Sequence, residues 1–155
     1  MKIQHIVTLL IGSILGACSS QNSHESTSVA ADNIAKEMTA NCYTYVNNRD
    51  TVELNLMQLG TKVSGELTYK LYEKDANRGT IEGEIKGDTL LANYTFKSEG
   101  ISSLRQVAFL KKGEDWVEGI GDVVGIDGRV NFKDPKALHF HNSLVLKKGT
   151  CKSLK

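Results

Sequence analysis

The chain has 155 residues, carries 19 Lys and Arg against 18 Asp and Glu, and contains three Cys and one Pro. Once an export segment is set aside, this length supports a single domain, and so even a charge balance excludes the concentrated positive surface that nucleic acid demands. No G-x-S-x-G elbow, H-E-x-x-H pair or P-loop occurs, so no catalytic signature marks an enzyme and none calls for a cofactor.

The first stretch, MKIQHIVTLLIGSILGAC, has the layout of an export signal: Lys2 as a minimal positive region, an apolar run from Ile6 to Leu15, then small residues up to Cys18. The uncharged run from Ile3 to Ala17 is short of the roughly 20 apolar residues a membrane-crossing helix needs. One reading is an ordinary secreted signal cut after Ala17, with Cys18 left as a free thiol. Leu15-Gly16-Ala17-Cys18, however, resembles the lipobox of bacterial lipoproteins. That resemblance implies cleavage before Cys18, diacylglycerol on its sulfur and a further acyl chain, palmitate or similar, on the new amino end. Two or more acyl chains hold a protein stably on a membrane where one does not. Ser19 stands where an Asp would, in such lipoproteins, imply inner-membrane retention, so an outer-membrane address is expected, with the leaflet left open.

Removal of the signal takes Lys2 with it and leaves 18 basic and 18 acidic residues. Residues 18–41 then comprise the lipidated Cys18 and SSQNSHESTSVAADNIAKEMTAN, which is poor in the apolar residues that would repay ordering. It reads as a flexible tether, with a helical turn near Asn33 to Met38.

A domain spans 42–151, followed by a short tail, 152–155. With Cys18 committed to lipid, Cys42 and Cys151 stand at its two ends. They cannot make a structural zinc site alone and form no CxxC redox pair. In the oxidising envelope a disulfide is expected, with two buried free thiols as the alternative. Loop-closure arithmetic credits so long a loop with about 4–5 kcal/mol, and the bridge demands that the first and last strands lie side by side.

Between the cysteines the pattern has period two, the mark of half-buried antiparallel strands. Cys42 to Val46 opens the series. Val52, Leu54 and Leu56 follow, with a phase break at Met57-Gln58-Leu59 that predicts a bulge. Val63, Gly65, Leu67, Tyr69 and Leu71 alternate with polar residues. Ile81, Gly83 and Ile85 then lead through Gly87-Asp88, a tight-turn pair, to Leu90, Ala92, Tyr94 and Phe96. Further strands are expected at 103–111, 115–123 and 138–148, with a short segment at 128–132. An antiparallel meander of about eight strands hides its edges best by closing into an up-and-down barrel. A β-sandwich is the alternative.

Strand parity places Arg105 on one face with Val107 and Phe109, and Glu118 on one face with Trp116 and Ile120. If those faces point inward, two charges lie on adjacent strands inside the barrel, where a charge must be paired or meet a ligand. Either Arg105 and Glu118 satisfy one another at one end of a packed barrel, or Arg105 captures a carboxylate or phosphate head. In the second case Tyr69, Tyr94, Phe109 and Trp116 surround the tail. His139 and His141 share a face and could share a metal. Leu138, Phe140, Leu144 and Leu146 have the opposite parity, so they are expected in the core with both histidines outside and no metal site.

The segments CYTY, LYEKD, GTIEGEIKGDTL, YTFKSEG and RQVAFLKKG resemble small bacterial envelope lipoproteins, over the whole span from Cys42 to Cys151. The resemblance implies no activity. The expected fold is similar to lipocalin-like and other calycin-type barrels, which commonly bind small apolar ligands, although no lipocalin signature is present and fold does not fix function. Copper-responsive outer-membrane lipoproteins with a small barrel carry a CxxC that this chain lacks. Two functions follow: a non-catalytic, membrane-anchored module binding a small apolar or amphipathic molecule, or a solid barrel whose loops, chiefly 124–137, meet another envelope protein. A cavity above about 300 Å³ lined by Arg105 and aromatics would favour the first, and a core packed to native density the second.

Overall fold

The computed structural model describes residues 37–98, 100–142 and 144–151. The signal, the lipobox cysteine, the tether up to residue 36 with all but the last two residues of its expected helical turn, and the tail 152–155 lie outside these residues. Ten strands follow in order: β1 (Thr39–Asn47), β2 (Asp50–Leu59), β3 (Lys62–Lys70), β4 (Asn77–Lys86), β5 (Thr89–Ser98), β6 (Ile101–Lys112), β7 (Asp115–Gly119), β8 (Val123–Ile126), β9 (Arg129–Phe132) and β10 (Val145–Gly149).

Eight of them close a ring. Strands β1 to β7 pair antiparallel in sequence, β7 pairs with β10, and β10 returns to β1 through Cys42↔Gly149, Tyr43↔Lys148 and Thr44↔Lys147. The fold is therefore a closed antiparallel barrel carrying two additional strands. Cys42 and Cys151 are joined across the closure, with S–S 2.06 Å and Cα–Cα 5.0 Å.

The alternation does what period two requires. Val52, Leu54, Leu67, Ile81, Leu90, Tyr94, Phe109 and Leu146 have no solvent exposure and Trp116 is 1% exposed, so the interior is filled with side chains. Each such residue stabilises the fold by about 1.5–3 kcal/mol through burial. The opposite face carries ion pairs, among them Lys62–Glu84, Lys70–Glu53, Lys147–Asp115 and Lys148–Glu114. So small a ring also needs close backbone approach. A Cβ on Gly79 would lie 1.9 Å from the Thr95 carbonyl oxygen, so only glycine lets β4 and β5 meet there. At the β4–β5 turn Gly87 takes φ +59°, as the Gly-Asp pair predicts.

The structure corrects five expectations. The first strand begins at Thr39 rather than Cys42. No bulge interrupts β2: its register runs unbroken through Met57 and Gln58 with β1 and on through Leu59 with β3, and the two apolar residues simply face solvent. The strand expected over 115–123 stops at Gly119. The chain resumes as β8, which pairs with β9 in a hairpin outside the ring, held to β6 by a short parallel ladder, Leu104↔Arg129 and Arg105↔Val130.

The strand expected over 138–148 is reduced to β10, preceded by a single bridge, Ile120↔His139. Leu138 and Phe140 consequently do not fill the barrel. A Cβ on Gly119 would meet the Phe140 ring at 2.5 Å and one on Gly121 would meet Leu138 at 2.7 Å. The segment therefore lies on the outside of the wall, where the outward-parity residues Ala108 and Val117 are also buried. Leu146 is in the core as expected, and Leu144 packs against it.

Candidate functional site

Where β7 ends, β6 continues without its neighbour and takes β9 in its place. This departure opens a cleft in the wall of about 280 Å³, short of the roughly 300 Å³ that would favour a binding module, lined by Arg105, Val107, Glu118, Ile120, Val123 and Val130 among others. Strand pairing delivers the two charges to it: Arg105 sits opposite Tyr94 on β5, and Glu118 sits opposite Phe109 on β6. The β9 side is fastened where the Phe132 N–H donates to Gln106 Oε1 at 3.0 Å.

Arg105 and Glu118 thus lie on adjacent strands and share one site, yet no ion pair joins them among the described residues. Glu118 accepts a 2.6 Å hydrogen bond from the Tyr69 hydroxyl instead. Burial pushes its carboxyl above the ordinary range, against the Tyr69 hydrogen bond and the Arg105 charge, which pull it down. Burial, reinforced by Glu118, also holds the Tyr69 phenol well above its usual value. Burial pushes Tyr94 up to about 12, and its hydroxyl donates to the Leu67 carbonyl at 3.0 Å.

The guanidinium of Arg105 stands 5.1 Å from the Tyr69 ring centroid, 5.5 Å from Tyr94 and 5.4 Å from Phe96. Those contacts use its charge but not its N–H groups. Its Nε is buried with no hydrogen-bond partner, an arrangement shared only by the Trp116 indole nitrogen among the described residues. A buried donor left without an acceptor costs about 1–3 kcal/mol, more when charged.

Of the aromatic residues expected around a ligand tail, Tyr69 and Tyr94 flank Arg105 but belong, with Phe109 and Trp116, to the buried core, and none of the four lines the cleft. The cleft walls Ile120, Val123 and Val130 were not anticipated, because an unbroken strand over 115–123 leaves no gap. The available signal was Gly119-Ile120-Gly121-Asp122, a pair of glycines where a wall strand needs side chains.

Two other hollows carry less chemistry. A larger groove, about 850 Å³, runs outside β4 and β5 beneath Pro135, Leu138 and Phe140, with Glu82 and Glu84 on its wall, the second engaged by Lys62 and Lys86. Another, about 450 Å³, includes Asp122, Asp134 and His139. There Asp122 meets Lys133, and Asp134 accepts the Lys136 N–H. His139 and His141 are exposed with rings 6.0 Å apart. No group of three His, Cys, Asp or Glu side chains placed to hold a metal occurs among the described residues.

No family model, curated protein or solved structure matches this chain.

Proposed function

We propose that the protein is a membrane-anchored lipoprotein of the bacterial envelope, held through acyl chains on Cys18, and a non-catalytic binding module for a small amphipathic molecule. The observation that carries this reading is the Arg105 side chain, cationic at a cleft with apolar walls, its guanidinium set against ring faces and meeting no acceptor among the described residues. An anionic head would take the terminal N–H groups of the guanidinium, and the walls would take the tail. Because the barrel interior is filled, the ligand lies in the side wall and not in the lumen.

The test is native mass spectrometry of the protein purified from its own envelope, beside an Arg105→Gln variant. A small molecule that accompanies the first and is missing from the second supports the reading. Repeatedly empty material, together with no binding across a panel of amphiphiles, overturns it.

A second reading, a solid barrel that meets another envelope protein, draws on β8. This strand ends the sheet order with an unpaired edge, and Val123, Val124 and Ile126 are exposed along it. A protein partner captured with unchanged yield by the Arg105→Gln variant would favour it.

A further inference from the structure

The proposed site contains a negative charge as well as a positive one, and this restricts what it can hold. Arg105 and Glu118 influence one another electrostatically without touching. The groups facing Glu118 are Tyr69 from β3, which donates to it, and Arg105 from β6. Tyr94 from β5 lies beyond, its hydroxyl turned to the Leu67 carbonyl, and Leu144, whose carbonyl accepts the Glu118 N–H from the β10 side, brings no charge. An anion entering beside Arg105 therefore approaches a carboxylate that has no other cation near it among the described residues, and two like charges in a half-buried cleft do not both stay ionised.

Resting on the function proposed above, we infer that the cleft takes a monocarboxylate with a short apolar chain, whose carboxylate becomes the counter-charge of Arg105 while Glu118 picks up one proton from solvent. The exchange balances: one anion and one proton enter, no covalent bond changes apart from the new O–H on Glu118, and the net charge of the site is unchanged. The planar carboxylate suits the fork of a guanidinium. A phosphate monoester dianion brings a second negative charge that one proton on Glu118 does not offset. A cleft of about 280 Å³, at the lower end of small-molecule sites, limits the tail to a short chain.

The experiment is calorimetric titration with octanoate and with octyl phosphate between about pH 6 and pH 8, where octanoate stays ionised. It uses the native chain, Arg105→Gln and Glu118→Gln. Octanoate affinity should rise by up to about tenfold for each unit of falling pH, with uptake of about one proton per ligand read from buffers of different ionisation enthalpy. Glu118→Gln should bind without pH dependence or proton uptake. Arg105→Gln should bind at least about tenfold more weakly, and octyl phosphate should trail octanoate by a similar factor. Octanoate binding that requires Arg105 but takes up no proton, or a preference for octyl phosphate, overturns this inference and leaves the site standing. No binding by any probe overturns both.

Discussion

The hydroxyl of Tyr69 on β3 donates a 2.6 Å hydrogen bond to Oε1 of Glu118 on β7, across the barrel rather than along its wall. In the ring order these strands face one another, so this polar contact braces the widest span of the interior. Tyr69→Phe should cost about 0.5–3 kcal/mol in urea denaturation, the range that covers hydrogen bonds to neutral and to charged groups. An unchanged midpoint would show that the contact braces nothing.

The same carboxyl sets a pH dependence. Its folded pKa is raised, with burial the leading cause, above its value in the unfolded chain. The contribution of Glu118 is thus fully present below the unfolded pKa and is lost as pH rises through the folded one. Glu118→Gln keeps an acceptor for Tyr69 and cannot ionise. Relative to the native chain it should gain stability above that window, and the gain should vanish in acid. Paired urea melts across pH read the difference directly, and a gain confined to acid would have the wrong sign.

The link between Cys42 and Cys151 spans 109 residues. Reduction, or Cys42→Ser, should lower stability by roughly 2–5 kcal/mol without altering the β-sheet circular dichroism of the folded state. Cys42→Ser and the double serine variant should agree closely, since one missing sulfur already opens the loop.

Gly79→Ala places a methyl group where the Thr95 carbonyl oxygen stands 1.9 Å away. The backbone has to move, and a loss of about 1–3 kcal/mol or more is expected. Gly87→Ala meets nothing within 4 Å and suffers only its φ of +59°, so about 1 kcal/mol is expected there. Thermal melts of the two variants should preserve that order.

For the anchor, Cys18→Ser should move the protein from the membrane fraction to the soluble one and abolish incorporation of labelled palmitate. Persistence in the membrane fraction would remove acylation from the account.

Much of the barrel was legible because its signals are local or come in matched pairs. Val63 to Leu71 alternate so regularly that only one face can be buried, and Gly87-Asp88 names its own turn. Cys42 and Cys151 stand where an even-stranded ring must close. The inward direction of Arg105 and Glu118 followed from the company they keep, Val107 with Phe109 and Trp116 on the neighbouring strand. The cleft was not legible, because its cause is a contact between distant residues. Phe140 packs against Gly119 from outside, and an apolar residue reads the same whether it covers a wall or fills a lumen. Met57 and Leu59 misled in the opposite sense: exposed apolar residues at a strand end imitate a change of phase. Exposure of single apolar residues is ordinary, and period alone cannot exclude it.

Pairing of Cys42 with Gly149 brings the chain's entry and exit to one rim, shared with the turns after β2, β4 and β6. The gap beyond Gly119 lies toward the opposite rim, beside the turn between β5 and β6. The cleft and the two ends of the described chain therefore occupy opposite rims, so a probe fused at either end would leave the opening unobstructed.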